Sequence, residues 1–189
     1  MMRVMAQNYE GLDIHVMDTR SISYGAGGQA VLAANLARDG YTMEEIIEAV
    51  EYSIRESKVY FCLSTLDYLA RGGRIGKVAA VLGSLLKIKP VITCNVEGAY
   101  AIAAKVRGRA HAINETITLA VAEAKKCIAC SVAVVDGNAK DEAARVMQQI
   151  KQLIPNCKSF IEGTVGPALA VHTGPGLLGI YVQALPVMK

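Results

Sequence analysis

At 189 residues the chain can bury a good core as one domain, or as one domain plus a piece of another. Its 52% hydrophobic content is aliphatic, with no Trp, two Phe and eight Tyr, so an apolar ligand would meet Val, Leu, Ile, Ala and Met walls rather than an aromatic cage. The formal net charge of +3 is too mild for a nucleic-acid binder, which needs a dense basic stripe with stacking aromatics, and no run approaches the roughly 18 apolar residues of a membrane-spanning helix.

The opening MMRVMAQNYEG lacks the apolar stretch of a signal peptide, which sets the expectation of a cytoplasmic protein. Residues 13–18, DIHVMD, predict a short strand, followed by the Ser- and Gly-rich turn TRSISYGAGG and a helix over about 26–38 closed by Gly40. Strand, glycine turn and helix invite a phosphate-cradle reading. The spacing is not G-x-G-x-x-G, however, and no P-loop Lys follows. Thr42 is placed to cap the next helix, with Glu45 at the capping-box position and Ile46, Ile47, Val50 and Ile54 on its buried stripe.

Residues 59–63 predict a strand leading into STLDYLARGGRIGKVAAVLGSLLKIKP, residues 64–90, around which the chain is organised. Leu66, Tyr68 and Leu69 sit at near-helical spacing, and Gly72 and Gly73 end that helix. From Val78 to Leu86 apolar residues recur at three and four positions, with small Ala79, Ala80, Gly83 and Ser84 between them, predicting a helix that permits close approach. The glycine turn carries Arg71 and Arg74, with Lys77 one turn on. This basic cluster suits an anionic partner, or is simply solvated.

Two strands, PVITCN and AYAIAAKV, join around Glu97 and Gly98 as a hairpin. A helix over about 110–126, a buried strand over 130–135, an amphipathic helix over 140–153 stopped by Pro155, and strands over 159–162 and 178–183 complete the chain. About six strands after residue 58, interleaved with helices, predict an α/β layered domain. The five cysteines, Cys62, Cys94, Cys127, Cys130 and Cys157, read as reduced buried thiols. Cys127 and Cys130 form a C-x-x-C with no second pair for zinc and no active-site aromatic or Pro beside it.

Three groupings bear on chemistry. In GTVGPALAVHTGPGLLGI, residues 163–180, glycines 174 and 176 and Pro175 place His172 in a turn, where its imidazole either donates to a carboxylate or is a satisfied structural histidine. His15, in a strand, and His111, at a helix start, read as structural. Lys105, Arg107 and Arg109 alternate and would share one strand face, as solvated edge guards or as an anion site. Ser64 and Thr65 read as helix caps, not nucleophiles, and no acidic metal cluster is present, since Glu44, Glu45 and Glu48 form a solvated helix face.

LDYLARGGRI followed by LGSLLKIKPVI, with DIHVMDTRSIS before and GPALAVHTGPGLLGI after, closely resembles the DegV family of bacterial fatty-acid-binding proteins. The resemblance implies two α/β domains, the first Rossmann-like, with a long-chain fatty acid in an apolar tunnel between them. The fatty acid is the sole ligand, with no cofactor and no metal. It implies a carrier rather than an enzyme, one that presents the carboxylate to a separate ATP-dependent fatty-acid kinase. On this resemblance His172 hydrogen-bonds the carboxylate, with Thr173, Gly174, Gly72 and Gly73 around it. Arg74 and Arg107 dock the kinase or face the phosphate.

The family motifs resembling TTSQP and SSxLSGT are absent, and Asp18 and Thr19 stand where the family usually has Asp-Ser. Residues 1–57 are therefore expected to be the remnant of a first domain. Residues 58–189 are expected to form the DegV-type C-terminal domain, with a mixed, largely antiparallel sheet of about six strands and flanking helices. Binding is expected to be weakened by truncation, or the chain to dimerise over its exposed apolar face. The competing expectation is a self-sufficient phosphotransferase or hydrolase with His172, Arg74 and Arg107 around a phosphate.

Overall fold

The centre of the sheet is β6 (Leu177–Ala184), buried at every position. In a computed structural model describing residues 2–6, 8–81, 88–155 and 157–188, it is flanked by β1 (Lys58–Cys62) and β4 (Cys130–Gly137). Outward from β1 lie β2 (Ile88–Cys94) and β3 (Tyr100–Arg107), and outward from β4 lies β5 (Cys157–Thr164), giving the order β3-β2-β1-β6-β4-β5. Only β4 and β5 run parallel, joined by α6 (Lys140–Leu153), because a parallel pair needs a crossover. The other neighbours are antiparallel. This is the mixed, largely antiparallel α/β sheet expected.

Side-chain alternation divides the core in two. Tyr60, Cys62, Val91, Val132, Val134, Ile180 and Val182 point to one face, covered by α5 (Arg109–Ala124) and α6. Val59, Phe61, Ile92, Ala133 and Tyr181 point to the other. That second face is met by α2 (Tyr24–Arg38), α3 (Met43–Glu56), α4 (Asp67–Arg71) and a 3-10 helix (Gly76–Val81). The Tyr24 ring meets Tyr181 edge-on, with centroids 6.0 Å apart. A short α1 (Met2–Ala6) and α7 (Pro167–Thr173) complete the helices among the described residues.

Local chemistry sets the boundaries. At the start of α3, Glu45 N–H donates to Thr42 Oγ1 at 3.3 Å while Thr42 N–H donates to Glu45 Oε2 at 2.8 Å, closing the capping box. On the β2–β3 hairpin Asn95 Oδ1 accepts from the N–H groups of Glu97 and Ala99, and Gly98 turns with φ +79°.

Several expectations fail for physical reasons. Residues 13–18 form no strand: none of the six strands offers them a ladder, and an extended segment without one leaves its backbone unpaired. The segment is instead pinned by Arg20, whose guanidinium donates to the Val96 carbonyl at 3.0 Å. His15 accordingly lies in irregular chain, paired with Asp13. The segment after Gly76, which turns with φ +49°, winds as a 3-10 helix held by Val78 N–H to Ile75 O. Residues 82–87, LGSLLK, lie outside the described residues. His172 sits in the last turn of a helix, since Pro167 pre-sets the first turn of α7. Arg109 opens α5 and does not share a strand face with Lys105 and Arg107.

Ile180 is fully buried at the sheet centre. Ile180→Ala should lower unfolding free energy by about 2–5 kcal/mol. Val96→Ala, 75% exposed, should stay within about 0.5 kcal/mol. Equal denaturant midpoints for the two variants would contradict this core.

Candidate functional site

The topology brings the two long motifs together. β1 leads into α4 and α7 leads into β6, and β1 and β6 are antiparallel neighbours with Cys62 opposite Leu178. The end of one motif's strand therefore lies beside the start of the other's, and α4 packs against α7.

The contact is made by glycines. Gly72, the C-cap of α4, has ordinary helical backbone angles, yet a Cβ there would collide with His172 Nδ1. Gly174, with φ +69°, ends α7, and a Cβ on it would run into the Tyr68 ring. Each motif thus supplies a bare backbone position to the other's ring. Tyr68 was read from sequence only as a helix-face residue. The signal that it packs on Gly174 was the pair of glycines following each ring-bearing helix.

His172 is part-buried, its Nδ1 is fully buried, and among the described residues the imidazole has no hydrogen-bond partner. A buried ring nitrogen left unpaired costs about 1–3 kcal/mol. Thr173 is buried and its hydroxyl donates to Leu169 O at 3.1 Å, which leaves that oxygen only its acceptor capacity. Gly73 turns the chain away with φ +65°. Below lies the apolar second face: Leu69 of α4, fully buried, with Phe61, Leu63, Val78 and Ile92.

The cations are placed unevenly. Arg74, exposed, donates from Nη1 at 2.8 Å to the carbonyl of Gly72, the residue the imidazole contacts. It lies near enough to Tyr100 to oppose the upward push that burial and Cys94 give that phenol. Arg107 stands at the opposite end of β3 from Tyr100, roughly 23 Å away along the strand. Arg74 and Arg107 are therefore separate features. Lys105 and Arg107 are exposed on β3, an edge strand. Arg109 is occupied structurally: its guanidinium pairs with Glu142, Nη2 to Oε2 at 2.6 Å and Nε to Oε1 at 3.3 Å, and Nη1 donates to Cys62 Sγ at 3.4 Å. His111 Nδ1 lies 3.0 Å from Arg107 O, as a structural histidine would. Thr65 Oγ1 accepts from Asp67 N–H at 3.2 Å at the start of α4, while Ser64 O accepts from Lys89.

Elsewhere on the same face, a cleft of about 430 Å³ lies between residues 16–21, α3 and the Val59 end of β1. Met17, Arg20, Gln29, Arg55, Lys58 and Tyr181 line it, and Asp18 and Thr19 border it. His172 does not. Gln29 Nε2 donates to Tyr181 Oη at 2.8 Å. No group of three or more His, Cys, Asp or Glu side chains among the described residues is arranged to hold a metal ion.

Residues 1–185 match the model of the family described as uncharacterised DegV proteins. The chain belongs to the DegV family. A DegV domain-containing protein of Clostridium perfringens is 34% identical over 181 residues, 96% of this chain and 64% of that protein. Among solved structures, a DegV family protein from Thermus thermophilus, described for its fatty-acid binding, superposes with a TM-score of 0.89 at 31% identity, covering 97% of this chain and 65% of that one. DegV from Bacillus subtilis, described as a fatty acid binding protein, superposes at 0.84 with 28% identity, covering 96% and 64%. The chain thus spans a little under two thirds of the length of the DegV relatives it matches.

Because Gly72 has a backbone that Ala tolerates, Gly72→Ala should act through its collision with the imidazole and cost about 1–3 kcal/mol. Adding His172→Ala should restore most of that loss. Gly27 of α2, with no atom within 4 Å of its Cβ position, should accept Ala with a gain of about 0.5–1 kcal/mol. A Gly72→Ala loss unchanged by the second substitution would remove the contact from the account.

Proposed function

We propose that this chain holds a long-chain fatty acid against the apolar second face of its sheet, with the carboxylate at His172. It then presents that carboxylate to a separate ATP-dependent kinase that phosphorylates it. The observation that carries the reading is the buried, unpartnered Nδ1 of His172, pressed on Gly72 above Leu69 and Phe61. An imidazole N–H donated to a carboxylate is a charge-assisted bond, and apolar burial adds roughly 0.8 kcal/mol per CH₂, so positioning and affinity need no catalytic group. The fatty-acid binding described for the Thermus and Bacillus relatives supports the same ligand class.

Thr173, Gly174, Gly72 and Gly73 shape the space around the carboxylate, and exposed Arg74 beside Gly72 suits an anionic phosphate or an acidic kinase surface. Arg107, a strand length away, fits a second docking contact better than a hand in the same phosphate site. That separation favours a carrier over an enzyme closing His172, Arg74 and Arg107 around one phosphate. No helix among the described residues is long and apolar enough to cross a membrane, and we assign the exchange to the cytoplasm, where the kinase's ATP is available.

Isothermal titration with palmitate should show His172→Ala weakening binding by about 1.5–3 kcal/mol, roughly 10- to 150-fold in Kd. The methyl ester, which offers only a neutral carbonyl acceptor, should lose much less than palmitate to the same substitution. Palmitate binding with the same Kd before and after the substitution would refute the head-group assignment. Turnover of ATP and palmitate by this chain alone would refute the carrier.

A further inference from the structure

A pair of thiols lies a strand length from His172, at the other end of β4 and β5, and the lipid reading does not use them. β4 begins at Cys130 and β5 at Cys157, and the parallel register sets these two residues directly side by side. Both side chains lie on the face beneath α5 and α6, Cys130 fully buried and Cys157 part-exposed at the edge strand. Neighbouring strands about 4.8 Å apart place their Cα atoms within the span a disulfide bridges, about 4.4–6.8 Å. The two thiols are near enough to shift one another's acidity in opposite directions.

We propose that Cys157 and Cys130 form a thiol–disulfide exchange site, with Cys157 attacking a low-molecular-weight disulfide of the glutathione type and Cys130 resolving the adduct. In the first step the Cys157 sulfur forms a bond to one sulfur of the reagent, whose S–S bond breaks to release one thiolate. In the second, Cys130 loses its proton and attacks the Cys157 sulfur, forming the Cys130–Cys157 disulfide and releasing the second thiol. Two protein thiols are oxidised and one disulfide is reduced to two thiols.

The electrostatics assign the same roles. The neighbouring Cys130 thiol, helped by the backbone at Ser159 and Val132, holds the Cys157 thiol below the usual thiol range against the effect of burial. Cys130, beside Cys157 and buried, is pushed up and keeps its proton. Cys127, the other member of the C-x-x-C, is pushed up by burial and by Glu123 and Glu56, with Lys126 opposing, so it is the poorer nucleophile of the exposed pair. The sequence spacing points to Cys127 and Cys130, whereas the fold pairs Cys130 with Cys157.

The test treats the native full chain with oxidised glutathione and follows intact mass and disulfide-mapped peptides. The expected product loses two hydrogens and carries a 130–157 cross-link, with any glutathione adduct transient. Cys130→Ala should trap one glutathione on Cys157, and Cys157→Ser should leave Cys130 unlinked. A 127–130 cross-link, a first adduct on Cys127, no cross-link at all, or an adduct no longer-lived in Cys130→Ala than in the unsubstituted protein would each overturn the proposal.

Discussion

The contact between the bare backbone of Gly72 and the imidazole of His172 fixes the lipid-binding reading proposed for this protein. A side chain at 72 would displace the ring, and a side chain at 174 would displace Tyr68, so the two helices can approach only as this glycine pair allows. The approach has a cost. It buries Nδ1 without a partner among the described residues, a deficit comparable to the net worth of the hydrogen bond a ligand would bring.

The sheet makes that contact possible. Two segments about a hundred residues apart meet because β1 and β6 are adjacent and antiparallel, so the helix leaving one and the helix entering the other emerge on the same side. The apolar second face lies below, with Phe61, Ile92 and Leu69 excluded from water. The opposite ends of β4 and β5 bring Cys130 and Cys157 together by the same register logic, far from the imidazole. One fold thus sets the His172 imidazole and the Cys130–Cys157 pair at opposite ends of the sheet.

Much of this was legible from residue patterns. The helices at 43–56 and 140–153 carry strong apolar periodicity, the first with a capping box at its start and the second with Pro155 as its stop, and both form as expected. The β2–β3 hairpin followed from Glu97-Gly98 between apolar runs. Residues 13–18 misled because alternation reports a fit to a sheet surface, not the presence of a free edge to join. His172 was expected in a turn since Gly and Pro surround it, but Pro167 at the first helical position outweighs that signal. Arg109 looked like part of a basic strand face. Its partner Glu142 is 33 residues away, and no local pattern announces such a pair. The Cys130–Cys157 pair was illegible for the same reason: it depends on parallel register.

The central claim, that the His172 imidazole holds the carboxylate of a fatty acid, is tested most directly by NMR on ¹⁵N-histidine-labelled protein titrated with carboxyl-¹³C palmitate. The account predicts that the His172 ring nitrogens and the ligand carboxyl carbon shift together, while the structural rings of His15 and His111 stay put. Saturable palmitate binding with an unchanged His172 spectrum would contradict it.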